Sequence, residues 1–318
     1  MTKPLALLFP GQGSQYVGMG SEFASNPLFD TVNSVLDVDL KKMMLDGPED
    51  QLKLTMYTQP AILTHSYFLF QKIESLLKSK NISAQYVLGH SVGEYAALVA
   101  AGSIPFESAV KAVFLRGKYM QEAVAVGEGK MAAILRLEDD IVSLACKNAT
   151  TEQEKVMPAN FNSPGQVVIS GHSAAVDRAI AWLTQNSEAR FKSVELPVSA
   201  PFHSALMKPA ENKLSAHFDE IPFASNTTTY IANIDGKEYV AGSDPGLIRS
   251  NLVSQVCGSV LWRSSIENLP DNTICLEVGP GKILTGLVRK INRNLTVIPM
   301  DSEDGTHKLE QALNGDNS

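Results

Sequence analysis

The feature that most constrains this chain is a short apolar run, residues 86–88, that leads through Gly-His-Ser-Val-Gly into an Ala-rich segment with helical periodicity. A Gly-x-Ser-x-Gly pentapeptide between a strand and a helix is typical of a nucleophile elbow, whereas a chance match lies in a loop without those flanks. The pattern therefore predicts that Ser91 is a nucleophile at the end of a strand. The amides of Ser91 and Val92, near the start of the helix, could then face a developing oxyanion.

Composition limits the class of protein. The chain has 318 residues, of which 44% are apolar and 19% charged, as in ordinary soluble globular proteins of one large or two unequal domains. A net charge of −7 argues against a nucleic-acid-binding surface over the whole protein. Cys146, Cys257 and Cys275 lack metal-ligand spacing, so we expect reduced, buried thiols in a cytoplasmic protein and no metal site.

The apolar run Leu5–Phe9 is too short for a signal-peptide core or a membrane span, and it predicts a buried strand of a parallel sheet with no membrane association. Residues 10–15, Pro-Gly-Gln-Gly-Ser-Gln, follow at the carboxyl end of that strand, where open α/β sheets bind ligands. The segment could be a simple turn. In an elbow enzyme, however, a second strand–helix loop supplies an oxyanion donor, and the backbone amide of Gln12 is the candidate.

Arg116 lies in a predicted helix that begins after Pro105. An arginine in such a helix is usually solvated, with its aliphatic stem along the surface. If it faces Ser91 instead, its planar guanidinium suits bidentate binding of a carboxylate. The residues alone leave both alternatives open.

The loop at residues 10–15, the elbow motif Gly-His-Ser-Val-Gly-Glu-Tyr and Arg116 together resemble the malonyl-CoA:acyl carrier protein transacylases of bacterial type II fatty acid synthesis. The resemblance extends over nearly the whole chain through residues 162–166, 200–204 and 277–281. It implies an acyltransferase that uses malonyl-CoA and holo acyl carrier protein, with its phosphopantetheine thiol, as substrates and holds no permanently bound cofactor. It also assigns the oxyanion hole to the amides of Gln12 and Val92, and the binding of the malonyl carboxylate to Arg116.

Residues 128–199 show a strand-helix-strand-strand-helix-strand order, which is the ferredoxin-like pattern. The predicted fold is therefore α/β: a large α/β-hydrolase-like parallel-sheet domain, residues 1–127 plus 200–318, with an inserted small ferredoxin-like α+β subdomain, residues 128–199. The candidate residues of the cleft wall are His90, Phe202 and Asn162, the last of which lies in an Asn-Ser-Pro-Gly cluster that predicts a turn.

His203 lies in an irregular, proline-bounded segment where the chain returns to the large domain, which makes it the candidate general base. The resemblance supports that role and implies that the main-chain carbonyl of Gln255 orients the imidazole; a buried carboxylate such as Glu277 is the alternative. The family commonly has Pro where Ser259 stands, which puts the predicted local geometry in doubt. Related domains that take branched extender units carry a small polar residue in place of Phe202, so the resemblance indicates malonyl rather than methylmalonyl.

Near the carboxyl end, Lys282, Arg289 and Arg293 are predicted to lie on one face of a helix, either as a solvated face or as a docking site for an acidic carrier protein. We expect a monomer that acts by a ping-pong mechanism through a malonyl-Ser91 intermediate, with acyl carrier protein as partner. Two alternatives remain: an acyltransferase that loads a polyketide synthase carrier protein and, more distantly, a serine thioester hydrolase.

Overall fold

The computed structural model describes residues 3–125, 127–198 and 200–314. Its largest sheet has six strands, parallel except for the last, which runs antiparallel to its neighbour. In sheet order they are β10 (Thr296–Pro299), β9 (Ile274–Glu277), β1 (Leu5–Phe9), β2 (Tyr86–Gly89), β7 (Thr229–Ile231) and β8 (Glu238–Tyr239).

Strand β1 is central to this sheet. All five of its residues are buried, as expected for a parallel strand covered on both faces. Leu8 lies opposite Leu88 of β2 on one side and opposite Glu277 of β9 on the other. The predicted strand at residues 5–9 is confirmed, and its two partners come from distant parts of the chain.

Helices cover this sheet. In chain order they are α1 (Leu28–Leu36), α2 (Leu40–Asp46), α3 (Glu49–Leu52), α4 (Thr55–Ser79), α5 (Gly93–Ala100), α6 (Phe106–Glu122), α9 (Lys208–His217), α10 (Pro245–Gln255), α11 (Trp262–Glu267), α12 (Ile283–Ile291) and α13 (Gly305–Asn314). Helices α7 (Asp139–Ala149) and α8 (Ser173–Asn186) belong to a second sheet. None of the helices in the described ranges is both long and apolar enough to cross a lipid bilayer.

Helix α4 begins earlier than its sequence indicates. Because proline is favoured in a first helical turn, residues 58–60 predict the start of the helix. That start is wrong: the helix begins at Thr55, since the carbonyl of Leu54 already accepts the amide of Thr58, and Pro60 lies inside the helix.

The second sheet is antiparallel and has the strand order β4-β5-β3-β6. Its elements in chain order are β3 (Gly129–Leu135), α7 (Asp139–Ala149), β4 (Val156–Ser163), β5 (Gln166–His172), α8 (Ser173–Asn186) and β6 (Lys192–Glu195). This is the predicted ferredoxin-like arrangement. The boundaries at 127/128 and 199/200 stay predictions, and Val126 and Ser199 beside them lie outside the described residues.

Asn162 corrects one local prediction. It lies in β4 rather than in a turn, because Phe161 and Ser163 on either side of it pair with β5 and the chain reverses only at residues 164–165. Strand β4 also reaches the large unit, where the amide of Phe161 donates to the carbonyl of Val260 at 2.9 Å. Strand β4 is therefore joined to the large unit through the loop that precedes α11.

Candidate active site

The predicted strand, turn and helix around Ser91 are all present. Strand β2 ends at Gly89, α5 begins at Gly93, and Ser91 between them has a φ of 53°. A Cβ on Gly93 would lie 2.1 Å from the carbonyl oxygen of Phe9, and one on Gly89 would lie 2.0 Å from the carbonyl carbon of Gly93. Both glycines are thus required by the close approach of helix and strands, while the left-handed backbone of Ser91 turns its hydroxyl out of the elbow.

The hydroxyl of Ser91 is in hydrogen-bond contact with His203. Ser91 Oγ lies 2.7 Å from His203 Nε2, and His203 Nδ1 lies 2.9 Å from the main-chain oxygen of Gln255. Because a carbonyl only accepts, Nδ1 carries the ring proton and Nε2 is free to accept the serine proton. Burial, together with the nearby charge of Arg116, lowers the pKa of His203 to about 3, so the imidazole is neutral near pH 7.

Glu277, the alternative orienting group, lies elsewhere. Its carboxylate accepts the amides of Leu284 at 2.9 Å and Thr285 at 2.7 Å and so caps the start of α12. Burial is the main reason that its pKa is raised. The geometry therefore favours the carbonyl of Gln255. The hydroxyl of Ser259 donates to the carbonyl of Pro158 at 2.7 Å, which anchors the loop at the position where a proline is common.

Arg116 points inward from α6, with 2% of its surface exposed. Its Nη2 lies 3.2 Å from Ser91 Oγ and 2.9 Å from Gln255 Oε1. The guanidinium also lies 5.9 Å from the ring centre of Tyr95. Of the two alternatives for Arg116, the structure supports the one that faces Ser91, and a buried cation next to the nucleophile is suited to an anionic substrate group.

The amide of Ser91 is not available to an oxyanion, contrary to the expectation from the sequence. It donates to Asn233 Oδ1 at 2.7 Å, while Asn233 Nδ2 donates to the carbonyl of Gly89 at 2.6 Å. By contrast, the amides of Gln12 and Val92 donate to no acceptor within residues 3–125, 127–198 and 200–314. These two amides are thus the ones that could hold an oxyanion; that role stays a prediction.

A cavity of about 100 Å³ opens at Ser91, with walls from loops and helices of the large unit and from strands β3 and β4 of the second sheet. A volume of this size has room for several water molecules or a short acyl group. It is lined by the residues Gln12, Gln59, His90, Ser91, Val92, Arg116, Met131, Asn160, Leu196, Val198, Phe202 and His203. The predicted wall residues His90 and Phe202 are among them. Asn162 instead holds His90, with Oδ1 2.8 Å from Nε2, and its strand neighbour Asn160 reaches the cavity.

Sequence reasoning missed two side chains that bind the backbone of Ser91 without lining the cavity, those of Asn233 and Gln255. Asn233 was not considered, and Gln255 was assigned only through its backbone. The side chain of Gln255 accepts from Arg116 through Oε1. Through Nε2 it donates to the carbonyl of Ser91 at 2.9 Å and to the carboxylate of Glu94. The sequence signal that pointed to this network was Glu94, an acidic residue among the alanines of α5.

The basic residues near the carboxyl end are exposed. The prediction that Lys282, Arg289 and Arg293 lie on one face of a helix is wrong: Arg289 lies within α12, but Lys282 is the N-cap and Arg293 comes after the C-cap. None of the three forms an ion pair with an acid among the described residues. Across residues 3–125, 127–198 and 200–314, no group of three or more His, Cys, Asp or Glu side chains is arranged to hold a metal ion.

Comparison with known proteins gives consistent matches. Residues 6–296 match the family model described as the acyl transferase domain. The malonyl CoA-acyl carrier protein transacylase of Escherichia coli strain K12 is 43% identical over 298 residues, covering 92% of this chain and 94% of the relative. The protein of the same name from Bacillus subtilis is 38% identical over 320 residues and covers 98% of both chains.

Solved structures of malonyl transacylases also match nearly the whole chain. The malonyl CoA-acyl carrier protein transacylase of Coxiella burnetii superimposes with a TM-score of 0.89 at 38% identity, with 98% of each chain covered. A malonyl-transacylase in complex with its type II polyketide synthase acyl-carrier protein matches with a TM-score of 0.87 at 37% identity, covering 98% of this chain and 100% of the other.

Proposed function

The chain belongs to the malonyl-CoA:acyl carrier protein transacylases, a family of acyltransferases, and from this membership we propose that it transfers the malonyl group of malonyl-CoA to the phosphopantetheine thiol of acyl carrier protein. The product supplies malonyl units for fatty acid synthesis. The observation that carries the proposal is the placement of Arg116 Nη2 at 3.2 Å from Ser91 Oγ, next to the Ser91–His203 pair. A nucleophile and a fixed cation in one small cavity select an acyl group that ends in a carboxylate.

The first half-reaction forms an ester on Ser91. His203 Nε2 takes the hydroxyl proton as Oγ attacks the thioester carbonyl, and the amides of Gln12 and Val92 bind the oxyanion. The tetrahedral intermediate then collapses, and CoA leaves with the proton from His203. The malonyl carboxylate pairs with Arg116, which lies within reach of Ser91.

The second half-reaction is the reverse with a different thiol. The phosphopantetheine thiol of the carrier protein gives its proton to His203 and attacks the ester, and the serine oxygen recovers a proton from His203 when it leaves. The exposed, positively charged Lys282, Arg289 and Arg293 serve as the docking site for the acidic carrier protein. The enzyme acts as a cytoplasmic monomer without a bound cofactor.

Phe202 supports malonyl over methylmalonyl as the substrate. It is buried in the cavity wall beside His203, where a bulky ring leaves little room for an α-methyl group. A carrier protein of polyketide synthesis is the second candidate acceptor, since one structural relative was solved with such a partner.

Intact-protein mass spectrometry after brief mixing with malonyl-CoA tests the function. We expect one malonyl group, mapped to the Ser91 peptide, absent from Ser91→Ala and discharged by holo acyl carrier protein. Discharge by a polyketide carrier but not by a fatty acid carrier would identify the alternative acceptor. An adduct lost to water as fast as it forms would indicate a thioester hydrolase, and a folded protein with no adduct would contradict the proposal.

A further inference from the structure

Glu94 is a buried acid that the proposed mechanism does not use. It lies on α5, three residues after Ser91, and none of its surface is exposed. Its Oε1 accepts the hydroxyl of Tyr230 and, at 3.2 Å, the amide of Asn233, while its Oε2 accepts Nε2 of Gln255. All three partners donate, and the ionised carboxylate accepts from all of them without a proton of its own that would need an acceptor.

Two acceptors, the carboxylate of Glu94 and the carbonyl of Ser91, hold the Nε2 end of the Gln255 amide and so determine its orientation; Glu94 is the charged one of the two. That amide has one donating end and one accepting end. With Nε2 turned toward the carboxylate, Oε1 is left facing Arg116 and accepts from Nη2 at 2.9 Å. If the amide were reversed, its NH₂ group would face a guanidinium that can only donate, and Arg116 would lose this partner inside the protein.

We propose that Glu94 is a positioning residue for substrate selection: by fixing the orientation of the Gln255 amide, it holds Arg116 in place to bind the free carboxylate of the acyl group. The inference rests on the proposed function, because it concerns the selectivity of that same transfer. It assigns to Glu94 no contact with the substrate.

A second route from Glu94 reaches the elbow. Oε1 holds the backbone of Asn233, whose side chain binds the amide of Ser91 and the carbonyl of Gly89. This route affects every acyl group alike, because it positions the nucleophile. The route through Gln255 also reaches the carbonyl of Ser91, which again concerns every acyl group alike, but its contact with Arg116 concerns only groups that pair with Arg116. The ratio of malonyl to acetyl loading therefore separates the two.

Glu94→Gln should disturb the contact with Gln255 and leave the contacts with Tyr230 and Asn233 in place. The amide oxygen of the new side chain can still accept from Tyr230 and Asn233, but its NH₂ group must then face Gln255, which has to turn its own oxygen inward. We expect kcat/KM for malonyl-CoA loading of Ser91 to fall at least tenfold relative to that for acetyl-CoA. Glu277→Gln is the matched control, since Glu277 is equally buried and its carboxylate accepts the amides of Leu284 and Thr285 in α12. The malonyl-to-acetyl ratio of this variant should equal that of the wild type.

The route through Gln255 is tested by a double-mutant cycle. Gln255→Leu keeps the main-chain carbonyl that binds His203 and removes only the amide. It should lower the malonyl-to-acetyl ratio on its own, and Glu94→Gln in that background should lower it no further. An unchanged ratio in folded Glu94→Gln, or an additive loss in the double variant, would overturn the proposal.

The pH profile of the ratio in the wild type provides a measurement that needs no Glu94 variant. Burial raises the pKa of Glu94 to about 7, against the lowering effects of its hydrogen bonds and of Arg116. The other groups that face it titrate elsewhere: burial raises the pKa of Tyr95 and that of Tyr230 well above their usual range, and burial lowers the pKa of His203 to about 3. The ratio should fall as the pH is lowered through about 7 and stay level in Gln255→Leu; a level ratio in the wild type would contradict the proposal. If the wild type loads no malonyl at all, the proposed function fails and not this inference alone.

Discussion

Ser91 and His203 are 112 residues apart in the chain, yet Ser91 Oγ and His203 Nε2 are 2.7 Å apart, and both residues have left-handed backbones with φ of 53° and 55°. A non-glycine residue in this region costs about 1–3 kcal/mol. The surrounding fold must hold both residues against that strain, so the contact depends on the fold and not on local preference.

Replacement of His203 removes the base and leaves the nucleophile in place. We expect His203→Ala to slow malonyl loading of Ser91 by about 10²–10⁴-fold, which is the usual contribution of a general base. Rapid quench followed by mass spectrometry measures the loading rate. His172→Ala, which changes a histidine at the end of β5, should load at the wild-type rate, and equal losses in the two variants would contradict the assignment.

Replacement of Arg116 should change which acyl group is transferred. Arg116→Ala removes the buried cation beside Ser91, so malonyl transfer is lost while acetyl transfer is retained or rises. Competition between malonyl-CoA and acetyl-CoA for Ser91 provides the measurement. Arg263→Ala, at a partly exposed arginine that pairs with Glu267 and Asp139, is the control. An equal fall for both acyl groups would mean that Arg116 is structural.

Substitution of Gly93 should destabilise the elbow itself. In Gly93→Ala the new Cβ would meet the carbonyl oxygen of Phe9 at 2.1 Å, and forcing the helix from the strand costs about 1–3 kcal/mol or more of the free energy of unfolding. Gly286→Ala is the matched control, because that helical position has no atom within 4 Å of a new Cβ. It should be stabilised by about 0.5–1 kcal/mol. Urea unfolding of both variants measures the difference, and similar stabilities would be inconsistent with the close approach.

Glu94 should make stability depend on pH. Its pKa rises from 4.5 to about 7 on burial, so the folded state binds the proton more tightly than the unfolded state. The stabilisation is complete below pH 4.5 and is lost as the pH rises through about 7, with a total of about 3 kcal/mol. The free energy of unfolding of Glu94→Gln relative to the wild type should therefore increase from pH 5 to pH 8. A constant difference in urea titrations would show that Glu94 keeps its ordinary pKa.

Charge reversal tests the docking site. The double change Arg289→Glu and Arg293→Glu should raise the KM for acyl carrier protein and leave malonyl-CoA loading unchanged, because complementary charge acts on the encounter with the carrier. Lys147→Glu, a change of the same kind at an exposed position of α7, should leave both parameters unchanged. An unaltered KM in the double variant would place docking elsewhere.

Much of the fold could be predicted because short stretches of sequence indicate its strands, turns and helices. The apolar run of β1 and the elbow at Ser91 each have a distinctive short-range signature, and the alternation of elements from β3 to β6 predicted the second sheet. The predicted start of α4 was wrong because the sequence does not distinguish a proline in the first turn of a helix from one further inside it, such as Pro60.

The support of the site could not be predicted in the same way. Asn233 and Gln255 act on Ser91 from 142 and 164 residues away, through contacts that only the folded chain creates. Their sequence surroundings carry no periodic or turn signal for that role. The amide of Ser91 was misassigned for this reason, since its partner Asn233 lies beyond the end of β7.

The pairing of β1 with β9 has a consequence for the newly made chain. On one side β1 pairs with Tyr86–Gly89, but on the other side it pairs with Ile274–Glu277, which follows much later in the chain. During synthesis, β1 therefore keeps one row of backbone donors and acceptors unpaired until β9 has emerged from the ribosome. An open strand edge is a template for pairing with other chains, so the nascent chain is vulnerable to aggregation at this edge until β9 is made.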